Sequence, residues 1–218
     1  MLELLKIIEE HGFVAYYVGG YPRDHYMGLE TQDYDLCTNA RPVDIKKFLN
    51  VDMAFSWYGN VRFMYNGHNV EITTFRKDSE YTDHRHPDKI DYVETLREDL
   101  ERRDFVINTL CIDSNGNYVD LLGARKDIDL KVIRAVGNAD MKLTEDAIRI
   151  LRAIRFAARF DFKIDPELEE SIIKNKYILS RIDDKRKQKE IDKILECKNG
   201  AQLLNKFGII VNRWFYDG

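Results

Sequence analysis

The 218-residue chain is 44% hydrophobic and 33% charged, enough apolar material for one sizeable core or two small ones. A net charge of −4 and a pI near 5.8 exclude a global basic field, so any nucleic-acid contact uses a local patch. The three cysteines (Cys37, Cys111 and Cys197) show no metal or CxxC spacing and fit reduced cytoplasmic thiols, and the acidic, amphipathic start MLELLKIIEE does not read as a signal peptide, nor does any stretch read as membrane-spanning.

Leu4, Leu5 and Ile8 recur at helical spacing, so residues 2–10 are expected to pack as a short helix. The apolar run 14–18 reads as a strand that enters Gly19-Gly20. A double glycine turns sharply and lets a ligand approach the backbone. The helix-compatible stretch behind it would aim N–H groups at a phosphate, and Arg23 adds a fixed cationic fork. A second strand then carries Asp33 and Asp35, two residues apart and so on one face. Such a pair is costly unless a cation sits between the carboxylates, and a hard ion such as Mg2+ suits them.

Residues 61–65 and 70–75 flank Asn66-Gly67 and read as a hairpin. A second hairpin is expected at 110–112 and 118–121 around Asn115-Gly116. Together these make an α+β head with a mixed sheet of about five strands. Glu71 lies on a strand that can neighbour Asp33 and Asp35; it either completes a metal site or simply points outward. Residues 76–103 are dense in charge and read as a solvated loop, with His84 and His86 in it, followed by a polar helix.

From Thr144, a good N-cap, the pattern is helical to the end. This puts the junction near 138–143 and divides the chain into a head, 1–140, and an all-helical segment, 141–218. Asp146 and Arg149 are three apart and share a helix face as an ordinary ion pair or as something more specific. Arg152, Arg155 and Arg159 follow on the same helix, facing phosphates or snorkelling over its apolar side. Asp165-Pro166-Glu167 is a helix start, Ser180 is expected to cap another helix, and a basic run includes Lys185, Arg186 and Lys189. Trp214, Phe215 and Tyr216 near the end suggest a dimer contact or a continuation of the chain.

The sequence GGYPRD, eight residues, then DYD resembles the signature of the class II tRNA nucleotidyltransferases and bacterial poly(A) polymerases, within the polymerase-β-like nucleotidyltransferase superfamily. Pro22 departs from the aliphatic residue usual there. The resemblance implies a nucleotidyltransferase head and a helical neck, with the family's body and tail regions absent. It implies that Asp33 and Asp35 bind two Mg2+ ions with Glu71 as helper, and that Gly19, Gly20 and Arg23 seat the triphosphate. Arg102–Thr109 is similar to the family's RRDFTINA, which implies that Arg103 and Asp104, with Asn108 in the same motif, contact the ribose. A loop ahead of that motif implies an ability to add A.

The Glu145-Asp146-x-x-Arg149 segment is similar to the family's base-reading template, which implies that Asp146 and Arg149 select cytosine or adenine, with Arg152 and Arg155 on the following turns. Both bases offer an exocyclic amino donor beside a ring acceptor, a pattern that guanine and uracil lack. The implied activity is CCA addition to tRNA from CTP and ATP, with Lys185, Arg186 and Lys189 touching RNA. Alternatives are an A-adding or poly(A) enzyme, transfer to another acceptor, and a nucleotide- or RNA-binding module with little catalysis.

Overall fold

Ala15–Val18, the apolar run ahead of the double glycine, forms β1 near the middle of a six-stranded sheet. The computed structural model describes residues 2–31, 33–79 and 89–209. The described residues form two units, the first from 2–79 with 89–128 and the second from 129–209. His84, His86, Trp214, Phe215 and Tyr216 lie outside the described residues.

In the first unit, α1 (Leu2–Glu10) precedes β1, and α2 (Gly20–Tyr26) leads to β2 (Tyr34–Thr38). After α3 (Pro42–Ile45), β3 (Asn60–Tyr65) and β4 (His68–Thr74) form the first hairpin. Its turn residues Asn66 and Gly67 have φ of 49° and 82°, the left-handed pair that matches strand twist. The strands β5 (Arg76–Ser79) and β6 (Lys89–Tyr92) pair antiparallel ahead of α4 (Leu96–Glu101), so the charged stretch holds a two-stranded sheet as well as the expected helix. The second hairpin is β7 (Cys111–Ile112) and β8 (Tyr118–Val119), followed by α5 (Ala124–Asp129).

The main sheet runs β3-β4-β2-β1-β7-β8, six strands where about five were expected. The β2–β4 pair is parallel and the rest antiparallel, which makes it mixed. Leu4, Leu5 and Ile8 of α1 cluster with Tyr17, Leu36 and Ile72, each such aliphatic side chain contributing about 1.5–3 kcal/mol by burial. Leu96 and Leu100 of α4 cluster with Val18, Cys37 and Phe75.

The second unit contains a parallel pair, β9 (Val132–Ile133) with β10 (Lys163–Ile164), and helices α6 (Ala139–Glu145), α7 (Ile148–Phe160), α8 (Pro166–Asn175), α9 (Asp184–Leu195) and α10 (Gly200–Lys206). The division therefore falls at 128/129, earlier than the 138–143 junction, because β9 pairs with β10 and joins the helical unit. Ile150, Leu151, Ala153, Ile154 and Ala157 give α7 a buried face, which packs against α9 and α10.

Asp165 and Pro166 open α8 as expected, with the Asp165 side chain accepting from Glu167 N. Two expected caps are corrected. Thr144 sits in the last turn of α6, where its hydroxyl donates back to Asp140 O and Met141 O; Asn138 is the cap, accepting from Met141 N at 2.9 Å. Ser180 donates to Tyr177 O, and α9 is capped by Asp183, which accepts from Arg186 N. Asn138 and Asp183 stand just ahead of the free N–H groups of α6 and α9, where a short polar side chain can accept from them. Among the described residues, no helix is long and apolar enough to cross a membrane.

Candidate active site

Four strands bring one row of residues together. Val18 on β1 is in register with Asp35 on β2, Asp35 with Glu71 on β4, and Glu71 with Arg62 on β3. Side chains in such a row are near neighbours across the sheet. Asp33 lies just ahead of β2, and both aspartates are exposed. They line an open cleft of about 610 Å3 with Asp52, Arg62 and Glu71.

Solvent reaches Asp35, yet its pKa is raised to about 6 by desolvation and then by the Glu71 carboxylate, with Asp33 adding and Arg103 opposing. The Glu71 repulsion follows directly from the register, and it outweighs the relief from Arg103. Glu71 itself is engaged. Its Oε1 accepts from Asn60 Nδ2 at 2.8 Å and its Oε2 from Arg62 Nε at 2.6 Å.

The glycine turn closes one end of the row. Gly19 has φ of +77° with ψ of −123°, a positive-φ combination outside the left-handed well that favours glycine over any residue with a Cβ. A Cβ on it would lie 3.6 Å from Asp35 Oδ2 and 3.9 Å from Arg103 Nη1. Gly20 then begins α2, with Gly19 at its N-cap and no side chain in the way.

Arg23 does not offer the free fork that the sequence suggested. It is 3% exposed, pairs with Asp24 at 2.6 Å and donates from Nη1 to Asn108 Oδ1. Asn108 in turn donates to Asp104 Oδ1 at 3.0 Å. Packing of Pro22, Arg23 and Asp24 into the interior explains this: three consecutive helical residues are buried, and a buried guanidinium needs internal partners. Arg103 and Asp104, adjacent in sequence, thus serve different neighbourhoods: Arg103 lies beside Gly19, and Asp104 joins the Arg23–Asn108 network.

In the second unit, the shared helix face expected for Asp146 and Arg149 is not formed. Asp146 has φ of −139° and ψ of 103°, outside both α6 and α7. Its Oδ1 accepts from Ile148 N, and its Oδ2 accepts from Arg186 Nη2 at 2.7 Å. Arg149 is buried and donates to Glu145 Oε2 at 2.6 Å and Lys142 O at 3.0 Å. The chain breaks between the two helices, and the Asp146 carboxylate accepts from the first N–H of the second.

Arg155 pairs with Glu190 at 2.9 Å and lies over the Phe156 ring, as does Arg152. Arg159 lies over Phe160. Lys185 and Lys189 are exposed, whereas Arg186 is held by Asp146. Sequence reasoning missed Arg62, Asn60, Asp99 and Glu145 as partners of these groups. Only Asp99 and Glu145 carried a signal, each lying four residues before the arginine that it pairs with.

A family model described as "Poly A polymerase head domain" matches residues 15–134. A second, described as "Probable RNA and SrmB- binding site of polymerase A", matches 161–210. The CCA-adding enzyme of Ligilactobacillus salivarius (strain UCC118) is 42% identical over 208 residues, covering 94% of this chain and 51% of the relative. The crystal structure of the Bacillus stearothermophilus CCA-adding enzyme in complex with CTP matches with a TM-score of 0.88 at 33% identity, over 96% of this chain and 52% of that one. The Thermotoga maritima CCA-adding enzyme complexed with tRNA(CCA) matches with a TM-score of 0.80 at 27% identity, over 95% of this chain and 50% of that one. The chain spans about half the length of the curated relatives it matches. The glycine turn, Asp33, Asp35 and Glu71 all fall inside the matched head segment, and this protein belongs to the poly(A) polymerase head-domain family.

Proposed function

We propose that this protein extends the 3′ end of tRNA by C and A without a template, using CTP and ATP and releasing pyrophosphate. The observation that carries the reading is the row of Asp35, Glu71 and Arg62 ending at the Gly19 turn and Arg103. The likeness to enzymes solved with CTP and with tRNA supports the same substrates here.

The donor chemistry fits a hard divalent cation. Asp33 and Asp35 face a cleft that Asp52 and Glu71 also line, and the proton affinity of Asp35 is raised by desolvation and by Glu71. Among the described residues no cluster of three or more His, Cys, Asp or Glu is arranged to hold a metal unaided. Mg2+ suits such a site, because it keeps water and substrate oxygens in its shell. Asp33 and Asp35 would hold two ions, with Glu71 assisting once it leaves Arg62. When bound, Mg2+ would acidify the RNA 3′-hydroxyl and neutralise charge on the triphosphate.

The protein's own groups do the positioning. Gly19 and Gly20 let the triphosphate approach the backbone, and Arg103 supplies positive charge beside it. Asp104 and Asn108, with Arg23 bracing them from the interior, hold the ribose end of the site. Asp146 and Arg149 exchange Arg186 and Glu145 for the edge of the incoming base, selecting cytosine or adenine. Arg152 and Arg155 stiffen that helix, and Lys185, Arg186 and Lys189 contact RNA. A cytoplasmic setting, expected from the free cysteines, belongs to the same proposal.

Labelled tRNA transcripts lacking CCA, CA or A, incubated with Mg2+ and single or mixed nucleotides, test this reading. Extension that stops after CCA, and is lost in Asp33→Ala/Asp35→Ala, is the expected result. Incorporation of A alone would replace it with an A-adding enzyme. Nucleotide binding without extension would point to a different acceptor or to a binding module.

A further inference from the structure

Asp99 is fully buried on α4, and its carboxylate ties that helix to β5 and to the two arginines that follow it. Its Oδ1 accepts from Arg102 Nε at 2.9 Å and from the backbone N of Arg76 at 3.3 Å. Its Oδ2 accepts from Arg103 Nη2 at 3.1 Å. The far end of that guanidinium, Nη1, is the atom beside Gly19. Arg103 Nε is also buried with no hydrogen-bond partner among the described residues. One end of Arg103 is thus anchored inside the protein while the other faces the glycine turn.

The anchor is ionic. Burial pushes the Asp99 carboxyl up, but the adjacent Arg102 and Arg103 outweigh this and hold it below the usual carboxylate range. An isolated buried carboxylate is costly, whereas one shared by two guanidinium groups is compensated. A competing attraction lies close by: the acidic pair of Asp35 and Glu71, whose Asp35 flanks the same Gly19 turn as Arg103. Without an internal counter-charge, Arg103 would swing onto that pair and close the space above Gly19.

We propose that Asp99 is a positioning residue that holds Arg103 beside the Gly19 turn and keeps it from collapsing onto Asp35, so that its guanidinium stays available to the nucleotide. The inference deepens the proposed function and rests on it for the identity of the nucleotide; the placement of Arg103 stands apart from it. Anchoring of β5 to α4 through Arg76 N is a purely structural alternative. It predicts lost stability with no specific effect on Arg103.

Asp99→Asn removes the charge at nearly constant shape, and Asp99→Glu keeps the charge but displaces it. Each is made in the natural chain and in an Arg102→Gln background, where fewer guanidinium groups are left unpaired and folding is favoured. The first readout is the NMR resonance of the Arg103 Nε–Hε group without nucleotide, expected to shift in Asp99→Asn as the guanidinium exchanges Asp99 for Asp35, and to shift less when Asp35→Asn is added. The second is CTP-dependent extension of tRNA lacking CCA, where KM for CTP is expected to rise ~10-fold with kcat changed less than ~3-fold. In an Arg103→Lys background the same substitution should cost less than ~2-fold, because its effect passes through Arg103. An unchanged Arg103 signal in a folded variant, or additive effects in the cycle, would overturn the inference. If the natural chain extends no tRNA, the functional reading fails, while the Arg103 signal still decides the role of Asp99.

Discussion

Asp146 and Arg186 lie forty residues apart and meet at 2.7 Å, joining the break between α6 and α7 to the first turn of α9. The pair is partly exposed, with side chains 16% and 28% open. It occupies the same Asp146 oxygen that the proposed function assigns to base reading. Arg186→Ala should leave the thermal midpoint nearly unchanged, since a part-exposed pair contributes about 1 kcal/mol or less. Because the base must displace Arg186 from that oxygen, CTP and ATP should bind about two- to fivefold tighter in this variant, with their preference over UTP and GTP retained in competition assays. Unaltered affinity would mean that Asp146 works independently of Arg186.

Gly19→Ala tests whether backbone conformation or space matters at the turn. The added Cβ meets Asp35 and Arg103 at ordinary contact distances of 3.6 and 3.9 Å, so crowding is minor. The backbone conformation, φ +77° with ψ −123°, is the larger penalty, on the order of 1–3 kcal/mol for an L-residue. The expected outcome is a thermal midpoint lowered by a few degrees and CTP affinity reduced about tenfold or more, measured by calorimetry. Full affinity in a folded variant would count against close approach of the triphosphate to this backbone.

The pH dependence of metal binding follows from Asp35. Its folded-state pKa of about 6 lies above the ordinary value of 3.8, so the fold retains this proton longer than the unfolded chain. Without metal, its contribution to stability therefore falls as pH rises from 3.8 to about 6 and is flat outside that window. Mg2+ competes with the same proton. Apparent Mg2+ affinity should fall by about tenfold for each pH unit below the transition and level off above it. Titrations from acid to neutral pH check this, and Asp35→Asn should abolish the step.

Gly200 opens α10, and a Cβ there would come within 1.8 Å of Ile194 O. That is a backbone atom near the end of α9, with no flexible end to move aside. Gly200→Ala should destabilise the helical unit by about 2–4 kcal/mol through forced displacement of α10 from α9 and α7. Chemical denaturation would show it, and a loss under about 0.5 kcal/mol would mean that the junction relaxes without cost.

Features governed by a few neighbouring residues were legible in the sequence. The Asn66-Gly67 and Asn115-Gly116 hairpins, the apolar face of α1, the Asp165-Pro166 start of α8 and the succession of glycine turn and aspartates each depend on local dihedral preference or on short periodicity. Which groups face one another was decided only by the tertiary structure. Parallel pairing of β2 with β4 sets Glu71 beside Asp35, and the antiparallel partner β3 hands Glu71 to Arg62. Burial of one turn of α2 converts Arg23 from a surface fork into an internal brace. The α6–α7 break takes Asp146 out of the helix that its spacing suggested and gives it to Arg186. Sheet register and competition among charged partners are long-range quantities: several arginines can reach each carboxylate, and packing of the whole unit selects which one does.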